Sequence, residues 1–181
     1  MGLDAIRSAL PAYARDTKLN LGAVIGTSPL TAPQAWGTAL ACAVAARNPV
    51  VLREIAAEAG ERLKPEVVEG AKAAASIMAM NNVYYRAKHL IGDEAYQTMP
   101  ARLRMQVIGS ASSGALGVDK LDFELWCLAV SAVTGCGVCL ESHDRTLRSG
   151  GLSREVVHEA LRIAAVVHAA AVTLDAEAAL A

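Results

Sequence analysis

Four side chains stand at spacings that suit thiol chemistry: Glu124, Cys136, Cys139 and His143, in the pattern Glu-x11-Cys-x2-Cys-x3-His. The thiolate, not the thiol, is the nucleophile. An ordinary Cys has a pKa of about 8.5, so only a few per cent is ionised at neutral pH. A helix N-terminus and a hydrogen-bonded His both favour the thiolate. His143 has one ring nitrogen for Cys139 and another for Glu124, directly or through water, which is a base with its orienting carboxylate. A thiolate that attacks a peroxide becomes a sulfenic acid, and a second Cys one turn away can condense with it to a disulfide. Spacing does not choose the attacking sulfur: a helix N-terminus favours Cys136, the i+4 His favours Cys139. Two other readings use the same residues. The pair could hold zinc with His143 and Glu124 as third and fourth ligands, or be two core cysteines.

The elements that must position this set read as helices, expected over 3–15, 31–47, 50–62, 65–80, 82–90, 102–108, 119–133, 136–149 and 153–172. Thr31 before Pro33, and Asn48 before Pro49, are caps followed by first-turn prolines. Gly150-Gly151 is a stop, and Ser153 with Glu155 a start. Thr134-Gly135 is a break, so Cys136 should open a helix. Cys139 then lies one turn on and His143 one turn further, on one face. Glu124 belongs to the preceding helix and must reach His143 across a helix–helix contact. It stands in the otherwise apolar Phe123-Glu-Leu-Trp-Cys-Leu-Ala-Val130, where a charge needs a partner.

The helices read as two copies of one unit, at about 31–80 and about 119–172. Trp36 and Trp126 lie 90 apart, and Leu63-Lys-Pro-Glu-Val-Val68 matches Leu152-Ser-Arg-Glu-Val-Val157 at an offset of 89. At offset 90, Gln34, Ala46, Pro49 and Arg53 face Glu124, Cys136, Cys139 and His143. The reactive set is confined to the second copy and is not needed to make the scaffold. Gly109-Ser-Ala-Ser-Ser-Gly-Ala-Leu-Gly117 between the copies reads as a flexible surface connection. It lacks the strand and the Lys-Ser/Thr ending of a phosphate loop.

Composition bounds the rest. Hydrophobic residues are 54% of 181, much of it Ala, with aromatics at 4%. That favours closely packed helices over strands, hence an all-α fold in one domain over 1–181. Seventeen basic and 18 acidic residues give a net charge of −1 with no basic stripe, so nucleic acid is not expected as a partner. The first residues carry Asp4 and no long apolar core, so no signal peptide is expected. Stretches such as 163–172 read as too short to span a bilayer. A cytoplasmic protein without membrane association is the expectation. Cys42 and Cys127 sit in apolar runs and read as small buried hydrophobes; His89, His158 and His168 read as helix-face residues without a role.

At its reactive residues the sequence resembles the AhpD-type alkyl hydroperoxidases of the carboxymuconolactone decarboxylase superfamily. Glu124-Leu-Trp126, Cys136-x-x-Cys139 and Leu140-x-x-His143 carry the resemblance. Lys18-Leu-Asn-Leu21, Arg47-Asn-Pro49, Met80-Asn-Asn-Val83, Tyr85-Arg86 and His143-x-x-Thr146-Leu-Arg148 extend it over nearly the whole chain. The resemblance implies an AhpD-like helical fold, a homotrimer, and thiol-dependent reduction of organic hydroperoxides. It implies Cys139 as the peroxidatic cysteine, passing through a sulfenic acid, and Cys136 as the resolving cysteine and proton donor, forming a disulfide with Cys139. Glu124 would deprotonate Cys139 through His143, with a water in the relay. No metal or bound cofactor is implied. The electron donor would be dihydrolipoamide on a lipoylated dihydrolipoamide acyltransferase, and an AhpC-type peroxiredoxin could accept electrons. Val138 departs from the family, whose well-known members carry a His there that assists disulfide formation. The Gly/Ser connection is also longer than the family's.

Two alternatives remain beside this reading: a relay from lipoamide to a peroxiredoxin with weak peroxidase activity, and a non-catalytic thiol or zinc sensor.

Overall fold

Trp126 is fully buried where four helices meet, and its surroundings explain the Ala- and Gly-rich composition. A computed structural model describes residues 2–181. Among these the ordered elements are helical, with no strand. The chain runs α1 (Leu3–Ala9), α2 (Arg15–Leu21), α3 (Ala32–Ala46), α4 (Pro49–Arg62), α5 (Pro65–Ile91), α6 (Glu94–Thr98), α7 (Gln106–Ser112), α8 (Lys120–Thr134), α9 (Gly137–Ser149) and α10 (Arg154–Leu180). A short 3-10 turn precedes α2 and a π turn follows it.

Helices α3, α5, α8 and α10 form the centre. The Trp126 indole N–H donates to Pro33 O at 3.1 Å, and its ring meets Phe123 edge-on. A Cβ added at Gly37 on α3 would lie 2.5 Å from the Trp126 ring, and one at Gly70 on α5 would lie 3.1 Å from it. Small residues at these points let three helix backbones close around one indole, and interaxial distance follows the side chains at the contact.

The caps fall at the positions read from the sequence. Thr31 and Gln34 form a reciprocal capping box. The Asn48 carboxamide oxygen accepts from Val50 N and Val51 N, and its Nδ2 donates to Asp175 at 2.7 Å, tying α4 to α10. Helix lengths run in parallel in the two halves: α3, α4 and α5 have 15, 14 and 27 residues, and α8, α9 and α10 have 15, 13 and 27. Capping residues set the correspondence at 88 for the first two helices, since Thr31 matches Asp119 and Asn48 matches Cys136. This replaces the offset of 90 read from the Trp pair. Trp36, Asn48, Val51 and Ile55 then stand opposite Glu124, Cys136, Cys139 and His143, and none is a thiol or a titratable group.

Several elements differ from expectation. The first helix stops at Ala9 because Pro11 cannot continue it. Residues 65–80 and 82–90 form one helix, because Asn81 and Asn82 turn inward rather than breaking it. The helix expected at 102–108 lies at Gln106–Ser112, so the Gly/Ser-rich connection begins as helix, with Ala111 buried. Helix α10 runs past 172 to Leu180 and is long and apolar enough, by length and composition, to cross a membrane. In the fold one face of it is covered, with Ala160, Ile163, Val167 and Ala170 in the core.

Candidate active site

The turn between α8 and α9 is where the sequence turns into a site. Thr134 ends α8, Gly135 takes the left-handed conformation at φ 71°, and Cys136 becomes the N-cap of α9. No side chain caps α9 in this state. Its first N–H groups are therefore open to stabilise a negative charge close by. Cys136 N donates to Ser131 O at 3.0 Å, and Leu140 N to Cys136 O at 3.0 Å, which fixes the cysteine backbone on both sides.

The turn is gripped from α5. Asn82 Nδ2 donates to Thr134 Oγ1 at 2.7 Å, and the Ser131 hydroxyl lies 3.1 Å from Asn82 Oδ1. The Arg86 guanidinium donates to Thr134 O. These residues set where Cys136 starts α9. Sequence reasoning found Asn82 and Arg86 only through resemblance and missed their part in holding the turn. The available signal was two adjacent Asn residues in an Ala-rich helix, since buried amides are nearly always partnered.

Cys136 and Cys139 form a disulfide with Cα atoms 5.3 Å apart. The two sulfurs have unequal surroundings. Cys136 is fully buried, whereas Cys139 is 7% exposed and lines a cavity of about 410 Å³. Glu124, Val138, Ser142, His143 and Thr146 share its wall with Met78, Asn81 and Tyr85 of α5 and with Met105 and Ile108. Glu124 comes from the second turn of α8, with the residue 9% exposed, and its Oε2 lies 2.6 Å from His143 Nδ1. The contact is direct. It occupies Nδ1 and leaves Nε2 of the same ring for a proton to or from the thiol side. The structure thus brings the expected Cys139, His143 and Glu124 onto one cavity and sets Cys136 behind it.

Cys42 and Cys127 are free and buried. Burial pushes both thiols up, and the Glu124 charge pushes Cys127 further in the same direction. In native, reduced protein at neutral pH, iodoacetamide should label Cys139 first and leave Cys42 and Cys127 unmodified, as read by peptide mass spectrometry. Comparable labelling of either would contradict the burial. Residues His89, His158 and His168 are exposed on their helices. Among the described residues no three His, Cys, Asp or Glu side chains converge as metal ligands.

The chain is similar to known proteins along its whole length. The model of the carboxymuconolactone decarboxylase family matches residues 95–181, which include α8, α9 and α10. A protein from Streptomyces coelicolor named alkyl hydroperoxide reductase AhpD is 58% identical over 181 residues, covering 100% of this chain and 99% of that protein. A namesake from Streptomyces griseus subsp. griseus is 56% identical over 100% of this chain and 99% of its own length. Another from Rhodospirillum centenum is 53% identical over 99% of this chain and 94% of its own length.

Proposed function

The chain belongs to the AhpD-type alkyl hydroperoxide reductases of the carboxymuconolactone decarboxylase family, and on that premise we propose that it reduces organic hydroperoxides with the Cys136–Cys139 pair. The observation that carries the reading is the inequality of the two sulfurs: Cys139 lines the cavity with the Glu124–His143 pair, and Cys136 is fully buried directly beside Cys139.

In the reduced enzyme Glu124 holds His143 through Nδ1, and Nε2 takes the proton of Cys139. The Cys139 thiolate attacks the distal oxygen of ROOH. The O–O bond breaks, Cys139 becomes a sulfenic acid, and the alkoxide leaves as ROH with the proton of Cys136. The Cys136 thiolate then attacks the Cys139 sulfur and expels hydroxide, which takes the proton held on His143 and leaves as water. The product is the disulfide seen here. The protein gives up two electrons per peroxide and must regain them from a dithiol.

Our reading assigns that role to dihydrolipoamide on a lipoylated acyltransferase, which becomes lipoamide as Cys136 and Cys139 return to thiols. No bound cofactor or metal takes part in these steps. We place the enzyme in the cytoplasm as a homotrimer, with an AhpC-type peroxiredoxin as a further electron acceptor. Cumene hydroperoxide should drive NADH oxidation in a mixture of this protein, lipoamide dehydrogenase and lipoylated acyltransferase, and omission of the acyltransferase should stop it. Equal rates with and without the lipoylated partner would overturn the donor assignment. Turnover that appears only after a peroxiredoxin is added would favour the relay.

A further inference from the structure

Asn81 is 4% exposed, and its carboxamide oxygen is buried without a hydrogen-bond partner. Its neighbour Asn82 is fully engaged with Thr134 and Ser131. Buried polar groups are nearly always paired, so an orphan at the wall of a cavity is explained most simply by a ligand that pairs with it. Asn81 lines the same cavity as Cys139, Glu124 and His143. The other unpartnered buried oxygen, Thr38 Oγ1, does not line it.

The remaining wall says what kind of ligand fits. Met78, Met105, Ile108 and Val138 make one part apolar. Among the described residues the Tyr85 hydroxyl pairs only with the Met105 sulfur, at 3.9 Å, a weak acceptor. Thr146 spends its hydroxyl on Ser142 O. Glu124, Ser142 and His143 line the space together with Cys139. A cavity of about 410 Å³ lies within the ordinary range for small-molecule sites.

Resting on the peroxidase reading above, we propose that Asn81 is the residue that binds and orients the hydroperoxide group. A hydroperoxide offers one O–H donor and acceptor lone pairs on both oxygens, which is the complement of a carboxamide. A turn of the Asn81 amide about its last side-chain bond, which breaks no hydrogen bond of Oδ1, brings Oδ1 to the cavity, where it accepts from the terminal O–H and holds the distal oxygen towards Cys139. Nδ2 donates to the proximal oxygen, on which negative charge grows as the O–O bond breaks. The tail lies along Met78, Met105 and Ile108.

The test compares two reactions of the same sulfur in pre-reduced protein, wild type and Asn81→Leu, with Asn81→Ala as a second variant should the larger side chain not fold. One is oxidation by stoichiometric cumene hydroperoxide, followed by loss of free thiols; the other is alkylation by iodoacetamide. Loss of one such donor costs on the order of 10²-fold at a charge-developing site, so the peroxide rate should fall about that much. The alkylation rate should stay within about two-fold, because Glu124, His143 and the helix terminus still set the thiolate. An unchanged peroxide rate, or an equal fall of both rates, would overturn the role of Asn81 while leaving the peroxidase reading intact. A wild-type protein that does not react with the peroxide would overturn both.

Discussion

Cys139→Ser is expected to abolish turnover of organic hydroperoxides, with a fall on the order of 10³-fold or more, because a serine hydroxyl beside the same His is a far weaker nucleophile towards peroxide oxygen. Cys136→Ser behaves differently. Its Cys139 still faces the cavity and His143 still takes the proton, so the first peroxide is reduced. The sulfenic acid then has no neighbouring thiol, and the enzyme stops after one equivalent or is oxidised further. Steady-state assays alone score both variants as inactive. Peroxide consumption measured against enzyme concentration separates them: about one equivalent for Cys136→Ser, none for Cys139→Ser. The contrast follows from the exposure of the two sulfurs, one lining the cavity and the other buried at the α8–α9 turn.

Glu124→Gln and His143→Gln should each lower the oxidation rate of Cys139 by about 10²–10⁴-fold at neutral pH, the usual range for a positioned acid–base group. Either change breaks one unit, the 2.6 Å contact between Glu124 Oε2 and His143 Nδ1. The double variant should therefore be little worse than the worse single one. Their pH profiles carry the mechanism. With the relay broken, the thiol must ionise unaided, so the residual rate should climb as pH rises. Wild type, whose thiolate forms through His143, should show its rise at lower pH. Coincident profiles for wild type and Glu124→Gln would mean that the pair is structural.

Three members of the proposed reactive set were legible together because their spacing is local. Cys136, Cys139 and His143 lie on or at the start of one helix, so 3.6-residue periodicity places them on one face, whereas Glu124 stands in the second turn of the preceding helix and meets His143 only across a helix–helix contact. Caps were legible for the same reason, as at Asn48-Pro49 and Ser153. What the sequence concealed is the partner across the fold. The expected helices stop at 80 and restart at 82, yet one helix runs through, with Asn82 satisfied by Thr134 and Ser131, about 50 positions further on. The same distance hid the cavity: Met78 and Tyr85 on α5, and Met105 and Ile108 further on, meet Cys139 only in three dimensions. The cap residues of the first two helices in each half stand 88 apart, two residues off the spacing of the Trp pair.

The central claim is that Cys139 is the sulfur that meets the peroxide. It is tested most directly by trapping its first product. Reduced Cys136→Ser protein, given a single equivalent of cumene hydroperoxide in the presence of dimedone, should carry the sulfenic-acid adduct on Cys139 by peptide mass spectrometry. Wild type treated alike should carry no adduct and instead show the Cys136–Cys139 disulfide. An adduct on Cys136 in the Cys139→Ser protein, with none on Cys139 in Cys136→Ser, would contradict the account and make the helix-capping sulfur the nucleophile.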